Sequence, residues 1–247
     1  GTLAFTRRDY DTAKRHFAEL AQGSRGNETA LAFLGLIADE QGEEELAARY
    51  LERVVSGPRA VASQLRAYRL MEERGASARA EIMLADFLEQ SPESVRDLVA
   101  GRASQLADAG RGEDAVALMR RAASYYPDDD DLRLAEAFVL ERLDRVPEAI
   151  AVMRGVLARR PDDPTALNSL GYTLVDRTTR YDEGYVLIEK ALKLAPNDSF
   201  ILDSMGWALF RLGRYGEAET YLRRAFKARP DAEIAAHLGE VLWAKGD

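Results

Sequence analysis

Residues 201–231, ILDSMGWALFRLGRYGEAETYLRRAFKARPD, place small side chains at fixed intervals within a helix-favouring composition. Gly206, Ala218 and Ala225 are separated by large apolar residues, and Pro230 ends the run. Small side chains at set helical positions let two helix backbones approach each other closely, and a large apolar side chain then fills the groove beside the contact. The stretch therefore predicts a pair of tightly crossing helices that stops at the proline.

The same pattern recurs along the chain with a period of 33 to 35 residues. If Gly206 is position eight of its unit, Gly171 and Gly239 take that position in the units before and after it. Position twenty is small in every unit that reaches it: Ala13, Ala47, Ala80, Ala115, Ala149, Gly184 and Ala218. Position twenty-four is always large and apolar: Phe17, Leu51, Leu84, Met119, Met153, Ile188 and Leu222. A fixed period of this length indicates an array of repeated supersecondary units.

Each unit is predicted to be a pair of antiparallel helices, A and B. The predicted boundaries are a half unit 1–27, full units 28–60, 61–95, 96–129, 130–163, 164–198 and 199–231, and a half unit 232–247. Proline follows helix B in five units because it has no N–H and cannot continue the helix. An Asp or Asn after that proline is expected to cap the next helix A. One unit cannot bury its apolar face alone, so the chain is predicted to be all-α, a single stack over residues 1–247.

The N-terminal half is less regular than the C-terminal half. Gln64 stands where position four is usually large and apolar, and Pro58 is expected to shorten the helix B before it. A change of curvature is therefore expected around residues 55–95.

The repeat resembles the tetratricopeptide repeat over essentially the whole chain, which implies a right-handed superhelical solenoid of helix pairs. Residues 164–247 are similar to the C-terminal repeats of proteobacterial multi-repeat outer-membrane lipoproteins. Well-known members of that group are adaptors that bind a periplasmic carboxy-terminal processing protease. The resemblance implies a periplasmic protein, anchored to the outer membrane by a lipid outside this chain, which activates a partner protease or delivers its substrates.

Composition narrows the classes of partner and of compartment. The formal net charge is −8, which argues against nucleic acid as a partner, because a phosphate backbone needs a basic face. Cysteine is absent, so disulfides and thiolate metal sites are excluded within this sequence, and the cytosol and the periplasm fit equally. No apolar run is long enough for a transmembrane helix.

The sequence offers no set of residues for catalysis, a cofactor or a metal. Its two histidines, His16 and His237, stand at opposite ends of the array, and neither has a nucleophile and an orienting group in a triad pattern. The run DDDD at 128–131 lacks the glycine and the later glutamate of an EF-hand loop and is interpreted as a helix cap. We therefore predict a non-catalytic scaffold. Two alternatives stay open: the targeting arm of a larger enzyme, and a cytoplasmic assembly or chaperone co-factor.

The binding surface is expected on helix A, where positions two, five, nine, twelve and thirteen point to the concave face of such a stack. Position nine is aromatic in three consecutive units, a stripe suited to holding a segment of a protein partner. The predicted partner-binding residues are Phe138, Arg142, Asn168, Tyr172, Asp176, Phe200, Asp203, Trp207, Phe210, Arg211 and Trp243. Truncation of Trp207 is expected to weaken binding by about 2 kcal/mol and to leave most of the stability intact.

Both ends are expected to be cut from a longer chain. Gly1 falls at position eight of its unit, so half of that helix A is missing, and Asp247 falls at position sixteen, before any helix B. The apolar residues of the last helix, such as Leu238 and Leu242, are then expected to be covered by further chain.

Overall fold

A computed structural model describes residues 1–22 and 28–246 of the chain. Throughout these residues the regular structure is helical, without strands, which confirms the predicted all-α class. The α-helices are α1 (Thr2–Thr6), α2 (Tyr10–Ala21), α3 (Glu28–Glu40), α4 (Glu44–Leu51), α5 (Ala60–Glu73), α6 (Ser77–Gln90), α7 (Val95–Asp108), α8 (Gly112–Tyr125), α9 (Asp130–Arg142), α10 (Val146–Arg159), α11 (Pro164–Arg177), α12 (Tyr181–Leu194), α13 (Ser199–Arg211), α14 (Tyr215–Ala228) and α15 (Ala232–Lys245). A short 3-10 helix occupies Pro92–Ser94.

The helices form two compact units, Gly1–Ala109 and Gly110–Asp247. Within each unit most consecutive helices pack on one another in chain order, as in a helical solenoid, whereas α7 packs chiefly on α5. The single stack over the whole chain and its right-handed superhelix stay predictions. None of the described helices is both long and apolar enough to span a bilayer.

The first unit contains the shortened helix that the sequence predicts. Helix α4 has 8 residues and ends at Leu51, ahead of Pro58. Because α4 ends early, the backbone carbonyl groups after it have no partner within a helix. Gln64, which is only 1% exposed, donates hydrogen bonds to two of them. Its Nε2 donates to the carbonyl oxygens of Glu52 and Val54, at 3.0 Å each. A polar residue replaces the usual apolar one here because the non-helical backbone beside it needs a donor.

In the second unit, the A helices begin at aspartate caps. Asp129, Asp163, Asp198 and Asp231 each accept a backbone N–H from the first turn of α9, α11, α13 and α15. The side-chain oxygen satisfies a donor that has no partner within the helix. The expected capping is therefore confirmed after Pro127, Pro161, Pro196 and Pro230, whereas Ser94, after Pro92, makes no side-chain cap hydrogen bond.

The small residues of the repeat lie where helices A and B cross. A Cβ atom added to Gly171 would lie 2.9 Å from the carbonyl oxygen of Gly184 and 2.6 Å from Ile188. A Cβ atom added to Gly206 would lie 2.5 Å from Leu222 and 3.2 Å from the carbonyl oxygen of Ala218. Positions eight, twenty and twenty-four therefore meet at one contact, as the sequence pattern predicts.

Candidate functional site

A pocket of about 290 Å³ lies on the second unit, lined only by A helices and their caps among the described residues. Its walls come from α9, α11, α13 and the first turn of α15. Five of the eleven predicted binding residues line it: Phe138, Asn168, Tyr172, Phe200 and Asp203. The structure thus brings together the central part of the predicted surface.

The pocket presents aromatic side chains to solvent at two of its edges. Phe138 on α9 is 45% exposed and Phe200 on α13 is 53% exposed. Tyr172 on α11 is partly buried, and its hydroxyl donates to Glu233 Oε1 at 3.1 Å. Burial, followed by the nearby charges of Asp176 and Glu233, raises the pKa of the Tyr172 hydroxyl, which therefore stays protonated.

Trp207 does not continue the exposed aromatic stripe, and that part of the prediction is wrong. Its side chain is only 7% exposed. The indole Nε1–H donates to Asp176 Oδ1 at 3.2 Å, and the ring stacks on His237 with 4.3 Å between centroids. Position nine of this unit is covered because α15 packs over α13 and brings the imidazole onto the indole. Trp207 is consequently a structural support of the pocket.

Three further predicted residues surround Trp207 or lie beside it. Phe210 is partly buried and stacks on Trp207, with centroids 5.0 Å apart. Arg211 donates to the Tyr181 hydroxyl at 2.7 Å and lies 4.7 Å over that ring. Asp176 is held by the indole. None of the three lines the described pocket.

The two remaining predicted residues lie at helix ends away from the pocket lining. Arg142 is exposed in the last turn of α9. Trp243 is 84% exposed near the end of α15. Their part in partner binding stays a prediction.

A buried Asp–His pair joins α13 to α15 beneath the pocket. His237 Nδ1 lies 3.0 Å and 3.1 Å from the two carboxylate oxygens of Asp203, and both residues are almost fully buried. Burial alone lowers the pKa of His237, but the hydrogen bond and charge of Asp203, with help from Glu233, outweigh it and raise the pKa. The pair fixes the position of the last helix relative to the pocket.

Glu141 and Thr173 form the polar wall between α9 and α11. The Thr173 hydroxyl lies 2.8 Å from Glu141 Oε1 and also 2.8 Å from the carbonyl oxygen of Ser169. Because a hydroxyl has one proton, only one of these acceptors receives it at a time. Burial raises the pKa of Glu141, and the hydrogen bond from Thr173 offsets this only in part.

The side-chain oxygen of Asn168 is a hydrogen-bond acceptor that no described donor reaches. Its side chain lines the pocket, and its Oδ1 is buried without a hydrogen-bond partner among the described residues. A buried carbonyl oxygen in this state costs free energy until a donor reaches it. Such a group is suited to receive an N–H from a bound molecule.

Glu141, Thr173, Glu233 and His237 were not among the predicted binding residues. Glu141 stands at position twelve and Glu233 at position two of their units, which the repeat register already assigns to the concave face. The signal for these two was therefore present in the register, although their residue types are not typical of binding hot spots. Thr173, at position ten, gave no such signal.

The acidic run at 128–131 is structural. Asp129 caps α9, and Asp130 is buried and pairs with Arg159. Asp131 pairs with Arg160 at 2.8 Å. In the part of the chain that the structure describes, no group of three or more His, Cys, Asp and Glu residues is placed to hold a metal ion.

Comparison with known protein families identifies the repeat from which this chain is built. Models of the tetratricopeptide repeat match residues 1–64, 106–170 and 204–247, which is more than half of the chain. The chain belongs to the tetratricopeptide repeat family. Tetratricopeptide repeats are generally scaffolds that bind other proteins, and the A-helix pocket of this member lies within such a scaffold.

A sequence relative supports the same family. The chain is 38% identical to a TPR repeat-containing protein of Pseudomonas aeruginosa over 207 residues, which are 84% of this chain and 35% of the relative. The chain thus spans about a third of the length of that protein.

Two solved structures resemble the tetratricopeptide fold of this chain. A thermophilic TPR protein in Thermus thermophilus aligns with a TM-score of 0.54 at 21% identity, covering 62% of this chain and 84% of its own. MamA from Desulfovibrio magneticus aligns with a TM-score of 0.49 at 20% identity, covering 62% and 86%. At these identities the likeness concerns the fold alone.

Proposed function

We propose that this chain is a non-catalytic scaffold that holds a segment of a protein partner in the pocket between Phe138, Tyr172 and Phe200. The observation that carries the proposal is the combination, in one pocket, of exposed aromatic rings with the unpartnered acceptor of Asn168. Aromatic side chains bury a large apolar area with few rotatable bonds, and they dominate binding hot spots. An extended backbone brings N–H groups, one of which would satisfy Asn168 Oδ1.

The finer proposal is that the scaffold is a periplasmic adaptor for a carboxy-terminal processing protease. It rests on the resemblance of residues 164–247 to outer-membrane lipoprotein adaptors, and the similarity to a Pseudomonas aeruginosa repeat protein is compatible with it. In this proposal the chain activates the protease or delivers substrates to it. The membrane is reached only through a lipid anchor outside the chain.

The pocket does not favour the cytoplasmic chaperone alternative. Scaffolds of that kind clamp a terminal carboxylate with basic side chains, whereas the described lining of this pocket contains four carboxylates, Glu141, Asp198, Asp203 and Glu233. A carboxylate ligand would be repelled there. A partner is expected to offer backbone donors and apolar side chains instead.

Calorimetry with a purified carboxy-terminal processing protease tests both levels of the proposal. Phe138→Ala and Tyr172→Ala are each expected to weaken binding by about 1–2 kcal/mol. Arg223→Glu is the matched control, since Arg223 lies on α14 and pairs with Glu219 at 2.6 Å, away from the described pocket. Absence of any binding would refute the protease as partner. Binding that survives both aromatic changes and is lost with Arg223→Glu would refute the pocket as the site.

A further inference from the structure

The wall of the pocket on the A helices is rich in carboxylates. Carboxylates come from Glu141 on α9, Asp198 and Asp203 on α13, and Glu233 on α15. Among the described residues, no lysine or arginine lines the pocket. His237, beneath the pocket, is bonded to Asp203, and its charge also interacts with that of Glu233.

Two arginines that contact residues of the pocket wall bind other groups as well. Arg177 Nη2 donates to Asp144 at 2.7 Å, and its Nη1 reaches the backbone oxygen of Glu141, not its carboxylate. Arg229 lies 4.6 Å over the Phe200 ring and pairs with Asp231 at 3.6 Å. These arginines therefore leave the carboxylates of the pocket wall without a direct salt bridge from them.

The carboxylate of Glu141 has no direct salt bridge among the described residues, and the charge of Arg177 lowers its pKa only in part. Its carboxylate is partly removed from water and receives at most a shared proton from Thr173. Burial raises the pKa of Glu141, which means that the ionised form is less favourable here than in water. A cation brought to this carboxylate would gain a charge-assisted hydrogen bond at a place where the dielectric screening is reduced.

We propose that the pocket selects a basic segment of a protein partner, in which a lysine or arginine side chain reaches Glu141 and Glu233 and apolar neighbours cover Phe138 and Phe200. The inference rests on the proposed function of this pocket and adds the chemistry of the ligand to it. Charge complementarity identifies the occupant, since the described wall offers carboxylates and the exposed ring of Phe138, and both attract a cation. Phe138 and Glu141 are three residues apart on α9, so their side chains project from one face of that helix and can contact the same ligand residue.

Selection from a random-sequence peptide library displayed on phage tests the proposal with the complete chain as the target. Peptides that depend on the pocket are those whose binding is lost with Phe138→Ala. This set is expected to be enriched in lysine and arginine over the unselected library. Glu141→Gln combined with Glu233→Gln is expected to weaken these peptides roughly tenfold. Asp182→Asn, which removes an exposed carboxylate from α12, is the matched control and is expected to leave them unchanged.

The outcomes distinguish failure of the basic-segment proposal from failure of the proposed function. Pocket-dependent peptides without basic enrichment, or with affinities that the double glutamine variant does not change, would overturn the basic-segment proposal and leave the proposed function standing. If no selected peptide depends on Phe138, the pocket itself is wrong as a binding site, and the basic-segment proposal falls with it. Raising the salt concentration is a second readout, because binding through an ion pair at this partly open site weakens with ionic strength.

Discussion

At Gly171 the two helices of one repeat come so close that a single added methyl group would meet backbone. The nearest backbone atom is the carbonyl oxygen of Gly184, 2.9 Å from an ideal Cβ, and a backbone atom cannot move aside as a flexible side chain can. Gly239 holds the same place in the last repeat, but no atom lies within 4 Å of its ideal Cβ, because α15 is followed by no described helix B.

Gly171→Ala is therefore expected to destabilise the second unit by about 1–3 kcal/mol through overpacking. Gly239→Ala is the matched control and is expected to stabilise it by about 0.5–1 kcal/mol, since alanine is the better helix former and meets no obstacle. Urea denaturation followed by circular dichroism measures both. Equal shifts for the two variants would show that the close crossing does not govern position eight.

A second residue-scale prediction concerns the Asp203–His237 pair. The folded-state pKa of His237 is raised above its ordinary value, so its contribution to stability is fully present below about pH 6.5. That contribution is lost as the pH rises through the raised folded pKa. The thermal midpoint of the wild type is therefore expected to fall relative to that of Asp203→Asn between about pH 6 and pH 9. A constant difference between the two proteins over this range would contradict the coupling.

At the scale of the helices, α15 is held on α13 by two side-chain contacts that share His237. The imidazole is bonded to Asp203 and stacked on Trp207. Tyr172 adds a bond from α11 to Glu233 in the first turn of α15. The pocket wall on this side therefore depends on the docking of the last helix.

Trp207→Ala is expected to cost about 3–5 kcal/mol and to speed amide hydrogen exchange in residues 232–245. This differs from the expectation that the variant would keep most of its stability, because the indole is buried. Phe138→Ala, at an exposed ring, serves as the control and is expected to change stability by less than about 1 kcal/mol. Unaltered exchange in α15 of the Trp207 variant would show that the stack does not hold the helix.

The sequence alone predicted the helical class, the aspartate caps and the close crossings, since these depend on short-range patterns that repeat along the chain. It could not predict that Trp207 is covered. The burial of Trp207 depends on long-range contacts of its ring, above all the stacking of His237 from α15 on the indole. Phe138 occupies the same repeat position and stays exposed, so aromatic character and repeat position together do not predict which of Phe138 and Trp207 is buried. The sequence likewise could not predict the raised pKa of Glu141, because that shift arises from the partial burial of its carboxylate.

At the scale of the whole molecule, binding is expected on one face of a repeat scaffold. The described pocket lies entirely in the second unit and is built from A helices. The B helices of the same unit carry surface ion pairs such as Arg154–Glu183 and Arg214–Glu217. Exposed pairs of this kind contribute little to stability. A partner segment is expected on the A-helix face because that face holds the pocket and its exposed aromatic rings.

Site-specific photo-crosslinking tests this assignment most directly. Phe138 on α9 and Phe226 on α14 are exposed to similar degrees, 45% and 38%, so each position has room for benzoyl-phenylalanine at the surface. The complete chain, irradiated in cells of the organism that makes it, is predicted to form covalent adducts with a protein partner from position 138 and none from position 226. Adducts from position 226 alone, or from neither position, would contradict the claim that the A-helix pocket binds a protein partner.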